Sequence, residues 1–180
     1  MFLDRARKME WEEKHLQNYH GSYEDILQRN KDVWNQIFDG GQMKRINLFY
    51  VIAKDKIVAD IGAGGGWFGL EAIRKGAEKV YLFEVNPLIL MNLERSFKEL
   101  KVPDEKYQTV YVTKNLSIKN LPQFDLVYSM AVFMHLYFWQ VESWIKWIAK
   151  NLKVGGEAHL QFYQKSELGT TMFFNGQDDH

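Results

Sequence analysis

Ile57-Val58-Ala59-Asp60-Ile61-Gly62-Ala63-Gly64-Gly65-Gly66-Trp67-Phe68-Gly69 is the stretch that decides the fold. Apart from Asp60, Ile57 to Ile61 is a short apolar run rich in β-branched side chains, the pattern of a buried strand. Glycines follow, and the chain leaves them into an apolar, Ala-containing stretch, Trp67 to Lys75, that reads as a helix capped by Gly76. Strand, glycine turn and helix are how an open α/β sheet builds a nucleotide site. Glycine lets backbone pass close to a ligand, and the helix start offers free N–H groups. A carboxylate at Asp60, beside the turn, would repel a pyrophosphate and attract a ligand carrying positive charge. A competing frame, Gly64-x-Gly66-x-x-Gly69, fits the dinucleotide fingerprint as text. In that fingerprint the first glycine directly follows the strand. Counting from the strand end gives Gly62-x-Gly64-x-x-Trp67, and Trp67 breaks the pattern.

Downstream, Val80 to Glu84 reads as a second strand ending in an acid. Glu84 lies 22 residues after Gly62, near the spacing of an acid that holds ribose hydroxyls, and one carboxylate can accept two such hydrogen bonds. Asn86-Pro87 opens the next helix as N-cap and first helical residue, with Leu90, Leu93, Phe97 and Leu100 as its buried stripe. Val102-Pro103-Asp104 ends it. A third strand is expected near Tyr107 to Thr113 and a fourth over Phe124 to Met130. Val141, Trp144, Ile145, Ile148 and Leu152 then recur at helical spacing, and Glu157 to Tyr163 reads as a fifth strand.

Together, Asp60, Gly62, Gly64 and Gly66 resemble the first motif of the class I S-adenosylmethionine-dependent methyltransferases, an acid followed by Gly-x-Gly-x-Gly. Glu84 matches the family's second acid, Phe124-Asp125-Leu126-Val127 its Phe-Asp-x-Val, and Leu152-Lys153-Val154-Gly155-Gly156 its Leu-x-Pro-Gly-Gly, with Val154 in place of proline. The resemblance covers roughly residues 40 to 163. It implies a doubly wound, mostly parallel α/β sheet of the Rossmann-like methyltransferase fold, order 3-2-1-4-5, with an N-terminal helical cap. It implies S-adenosylmethionine as cofactor, held by Asp60, Gly62, Gly64, Gly66, Glu84, Asn86, Asn115, Leu116, Ser129 and Met130. Asn115 would accept from the adenine amine, although Ser117 fits a second register. His135 is the candidate base, expected at the start of the helix after strand four, because its unperturbed pKa lies near neutrality. Tyr19, His20 and Tyr137 are candidate acceptor contacts.

The family members that methylate exocyclic amines of nucleic acids carry Asn/Asp-Pro-Pro-aromatic after strand four. Here that place holds Ser129-Met130-Ala131-Val132. Base C5 methylation uses a cysteine nucleophile, and the chain has no cysteine. With 23 basic and 23 acidic residues there is no bulk attraction to nucleic acid or anionic membrane. The expectation is therefore transfer of methyl to a small-molecule acceptor, on an oxygen of a sugar or phosphorylated metabolite, such as those of bacterial surface-polysaccharide pathways. Protein methylation, a non-catalytic cofactor-binding module and a nicotinamide oxidoreductase are the alternatives.

Length predicts one domain over 1–180, with a cap at 1–54, a cofactor-binding core at 55–163 and an incomplete segment at 164–180. No apolar run reaches the roughly 18 residues of a membrane span and no leader pattern is evident, so a cytoplasmic protein is expected. Asp178-Asp179-His180 offers metal-ligating side chains at a terminus without fixed geometry, so no metal is expected. The family sheet closes with two antiparallel strands, but 17 residues follow Tyr163, with one short strand readable at Thr170 to Phe174. The last strands are thus expected to be missing or truncated. A bare edge on the fifth strand would invite a homodimer.

Overall fold

The computed structural model describes residues 53–113, 116, 118 and 120–162, and the backbone of 171–175, all within one compact unit. The expected N-terminal cap with Tyr19 and His20 lies outside the described residues, as do Asn115 and Ser117. The elements are β1 (Ile57–Ile61), α1 (Trp67–Arg74), β2 (Lys79–Glu84), α2 (Pro87–Glu99), β3 (Tyr107–Tyr111), β4 (Phe124–Ser129), α3 (Phe138–Asn151), β5 (Leu152–Gln161) and β6 (Thr171–Asn175).

They form one sheet in the order β3-β2-β1-β4-β5-β6. The first five strands are mutually parallel in the expected order 3-2-1-4-5, and β6 runs antiparallel to β5. β6 corrects one expectation. It pairs with β5 from Glu157↔Asn175 to Gln161↔Thr171, so the bare β5 edge on which the homodimer expectation rested is covered by the chain's own strand.

A sheet covered on both faces needs strands with apolar side chains on both sides, and Val58–Ala59, Val80–Phe83 and Leu126–Val127 have that character. Val80, Leu82 and Phe83 are fully buried, as are Val58 and Ala59. On one face α1 lies so close to β2 that a Cβ on Gly69 would stand 2.3 Å from Leu82 Cδ2. Gly66 meets Leu93 and Phe97 of α2 in the same way. On the other face α3 places Trp144 and Trp147 edge-on against Phe83, the latter with ring centroids 5.2 Å apart. Such aromatic pairs add about 0.5–1.5 kcal/mol beyond burial.

Local chemistry explains the boundaries. Asn86 Oδ1 accepts from Leu88 N at 2.9 Å, and Pro87 takes the first helical position of α2, where no N–H is required. α3 runs directly into β5, which begins at Leu152 rather than Glu157. The β4–β5 register is irregular between Phe124 and Leu126, opposite a segment where Gly155 adopts φ +75°. Lys153 Nζ reaches both carboxylate oxygens of Asp125 at 2.8 Å, and Asp125 also accepts from Ile57 N, which ties the amino ends of β1, β4 and β5. The carboxyl ends of the parallel strands share the opposite rim, where open α/β sheets bind ligands.

Candidate functional site

At that rim the turn after β1 is held by β2. Gly62 N and Ala63 N both donate to Phe83 O, at 2.8 and 2.9 Å. Gly62, Gly64 and Gly66 have φ of +75°, +52° and +77°, a region L side chains rarely adopt. A Cβ on Gly62 would lie 2.2 Å from Val132 Cγ2, so the segment after β4 closes directly on the turn.

Glu84 is 8% exposed and fastens this cradle. Its Oε1 accepts from Val85 N (2.7 Å) and Asn86 N (3.1 Å), and its Oε2 accepts from Gly64 N (3.1 Å). A carboxylate has about four acceptor positions, and these backbone donors take three of them. The Asn86 side chain is spent on the α2 cap.

Asp60 is only 2% exposed, beneath the turn. Burial pushes its carboxyl up to about 8; a hydrogen bond from the Gly69 backbone opposes this, and the negative charge of Glu84 adds to it. Its Oδ2 has no hydrogen-bond partner. Burial therefore favours the protonated form of the acid expected as a charge beside the turn.

Ser129 is fully buried, and its hydroxyl donates to Ile61 O at 2.9 Å, stitching β4 to β1 rather than facing the rim. Met130 is half-buried beyond it. Ala131 takes φ +57° and its N–H donates to Gln161 Oε1 at 2.8 Å. Leu116, half-buried, also has positive φ, +46°. His135 is exposed and sits in a one-turn 3-10 segment, Phe133–His135, before α3 and not at its start. Tyr137 is half-buried; its N–H donates to Gln140 Oε1, and its ring lies parallel to that of Trp139 within 5°. Phe138 and Trp139 are 84% and 60% exposed.

The structure thus brings Asp60, the three glycines and Glu84 together. It also adds residues that sequence reasoning missed. Val85, 48% exposed directly after Glu84, offers an apolar face at the rim. An apolar residue following a strand-end acid was the available signal. Val132 closing on Gly62, and Gln161 holding Ala131, depend on side chains meeting across elements and carry no local signal. Among the described residues no group of three metal-ligating side chains occurs, and no helix is long and apolar enough to cross a membrane.

This is the architecture of a methyltransferase. Residues 58–156, more than half of the chain, match the family model described as a methyltransferase domain. The chain belongs to that family, as an S-adenosylmethionine-dependent methyltransferase domain. It is similar in fold to yhhF of Escherichia coli, which carries a provisional methyltransferase designation (19% identity, TM-score 0.58, 72% of this chain and 70% of that one). It is also similar to an S-adenosylmethionine-dependent methyltransferase of Mesorhizobium loti (21%, 0.55, 66% and 52%). A third likeness is to protein arginine methyltransferase 10 of Arabidopsis thaliana (21%, 0.51, 59% and 30%). The chain thus spans about half of the second and under a third of the third. No curated protein matches it in sequence.

The residues fit S-adenosylmethionine. The glycine turn stands at the ligand rim of the sheet with three glycines at positive φ, Glu84 reaches it through Gly64 N, and Asp60 Oδ2 is a buried oxygen without a partner.

Proposed function

We propose that the domain methylates an oxygen of a small-molecule acceptor, a sugar or phosphorylated metabolite, such as those of bacterial surface-polysaccharide pathways. Asp60, Gly62, Gly64, Gly66 and Glu84 would hold the cofactor, with Val85 against its base, and Leu116, Met130 and Asn115 alongside. When bound, S-adenosylmethionine supplies a methyl group on a sulfonium, whose sulfur is already an activated leaving group.

The chain's residues then have three tasks. They align the acceptor, exclude water, and take a proton from a hydroxyl if the acceptor arrives as one. The observation that carries the reading is the exposed rim after β4. His135, exposed, stands three residues from Val132, which closes on the glycine turn, and two residues before Tyr137 and the bared rings of Phe138 and Trp139. Flat aromatic faces suit the apolar side of a sugar ring, and an imidazole can take a hydroxyl proton near neutral pH. A formal net charge of zero gives no bulk attraction to nucleic acid.

Protein methylation is the second reading, since one similar structure is titled a protein arginine methyltransferase. Exposed aromatic side chains would serve a peptide as well as a sugar. The deciding experiment incubates the chain with labelled cofactor and a fractionated extract of metabolites and proteins. Label in a phosphatase- or glycosidase-sensitive metabolite supports the first reading; label retained in acid-precipitable protein supports the second. Replacing His135 by Ala is expected to lower kcat by about 10²-fold or more with unchanged cofactor affinity. Full turnover in that variant would remove His135 as the base.

A further inference from the structure

Asp60 is the second-last residue of β1, and its neighbours are set by strand register. It pairs with Leu82 on β2 and Tyr128 on β4, and Tyr128 pairs with His159 on β5. Side chains at matched positions of adjacent parallel strands share a face. Three titratable side chains therefore lie in one row across β1, β4 and β5. Asp60, Tyr128 and His159 are each more than nine-tenths buried.

Other ionisable groups approach Asp60 from the packed elements. Glu84 stands at the end of β2, two residues beyond Leu82 on the same face, and Glu71 is buried on α1. Beyond His159 lies Glu157, 3.0 Å from its Nε2. The charge that acts on Asp60 is that of Glu84, which has the same sign as its own carboxylate. One oxygen of Asp60 is served by the Gly69 backbone, and Oδ2 has no partner. A buried ionised carboxylate without a counter-charge is costly, so the free site holds a neutral acid. A cation brought over the glycine turn reverses that balance.

We propose that Asp60 makes this site prefer the cationic methyl donor to the uncharged thioether left after transfer, by giving up its proton when the sulfonium is bound. The inference rests on reading the turn as the S-adenosylmethionine site. The step is a proton transfer alone: the carboxyl O–H bond breaks, the proton goes to water or buffer, and no electrons are exchanged. The carboxylate left behind faces the sulfonium charge. S-adenosylhomocysteine lacks that charge and gives Asp60 less reason to ionise. Donor affinity then rises with pH, at most tenfold per unit, and levels off above the value at which the free carboxyl ionises. Product affinity rises less, so the donor-to-product preference widens from acid to alkaline pH.

Calorimetry on the full chain tests this with S-adenosylmethionine and S-adenosylhomocysteine in separate titrations. Each is run in buffers of different ionisation enthalpy from pH 6 to 9. For the unaltered protein the expected result at pH 7 is release of about one proton per donor bound and clearly less per product bound. Asp60→Asn should bind both ligands without that difference, with a donor-to-product ratio flat in pH. Each ligand's amine also titrates near this range, but does so equally in both proteins and cancels between them. Equal proton release for the two ligands in the unaltered protein, a measurement that needs no variant, overturns the proposal. So does an Asp60→Asn protein whose ratio still widens with pH. If neither ligand binds the unaltered protein at all, the cofactor-site reading itself falls, and the inference falls with it.

Discussion

The two ends of the rim are built differently. At the β1–β2 end the backbone is over-determined: Glu84 accepts three N–H groups, Phe83 O accepts two more, and three glycines take positive φ, which other residues adopt only rarely. At the β4–α3 end the backbone is held by its own local turns, such as His135 N to Val132 O and Leu136 N to Phe133 O, and the side chains are more exposed. Ala131 sits at positive φ on one side-chain hydrogen bond, and His135, Phe138 and Trp139 face outward. The contrast teaches a division of labour. On the function proposed above, an invariant cofactor would suit the rigid, buried end and a variable acceptor the exposed one.

The largest effect that would break this contrast is at Gly62. Gly62→Ala forces an L side chain into the left-handed region and onto Val132. Folding stability should fall by roughly 2–5 kcal/mol, from roughly 1–2 kcal/mol of backbone cost plus 1–3 of overpacking. Adding Val132→Ala should relieve the packing part and leave the backbone part. Denaturant unfolding reads both, and unchanged stability in Gly62→Ala would mean that the turn is not held in the shape described.

The next effect sharpens the buried side of the comparison. Asp60 ionises near 3.8 when exposed but at about 8 in the fold. Between those values the native state keeps a proton that the unfolded chain has lost, so this residue makes stability fall as pH rises. Its share is about 1.4 kcal/mol per unit, or roughly 2–3 kcal/mol from pH 6 to 8, levelling off above that. Denaturant unfolding across this range should slope downward in the unaltered, ligand-free protein and be flatter by that amount in Asp60→Asn.

The smallest effect belongs to the open side. Replacing Phe138 and Trp139 by Ser should change folding stability by no more than about 0.5 kcal/mol each, as for exposed positions without partners in the core. Cofactor affinity should not move, while the KM for the acceptor rises several-fold. A large loss of stability would show that these rings belong to the core and not to the rim.

The same contrast explains what was legible in the sequence. The glycine turn, the strand-ending Glu84 and the Asn86-Pro87 cap are local chemistry, because one residue's backbone angle or hydrogen bond dictates its neighbours. Strand order came from the family resemblance that the glycine turn and Glu84 carry. Three features resisted. Asp60 was expected as a charged carboxylate beside the turn, and the depth of its burial depends on α1 lying against β1 and β2. Ser129 looked like a ligand contact but is consumed by Ile61 O. β5 was placed late because its first residues pair with β4 across an irregular register that Gly155 permits. Each depends on partners distant in sequence, and no local pattern encodes them.

The tight seat of α1 against Leu82 on one side, with Gly66 against Leu93 and Phe97, has a kinetic consequence. A helix set without slack between a strand and its neighbour cannot swing aside as a door. Exchange of a ligand held at the glycine turn should then not depend on a gating motion of that helix.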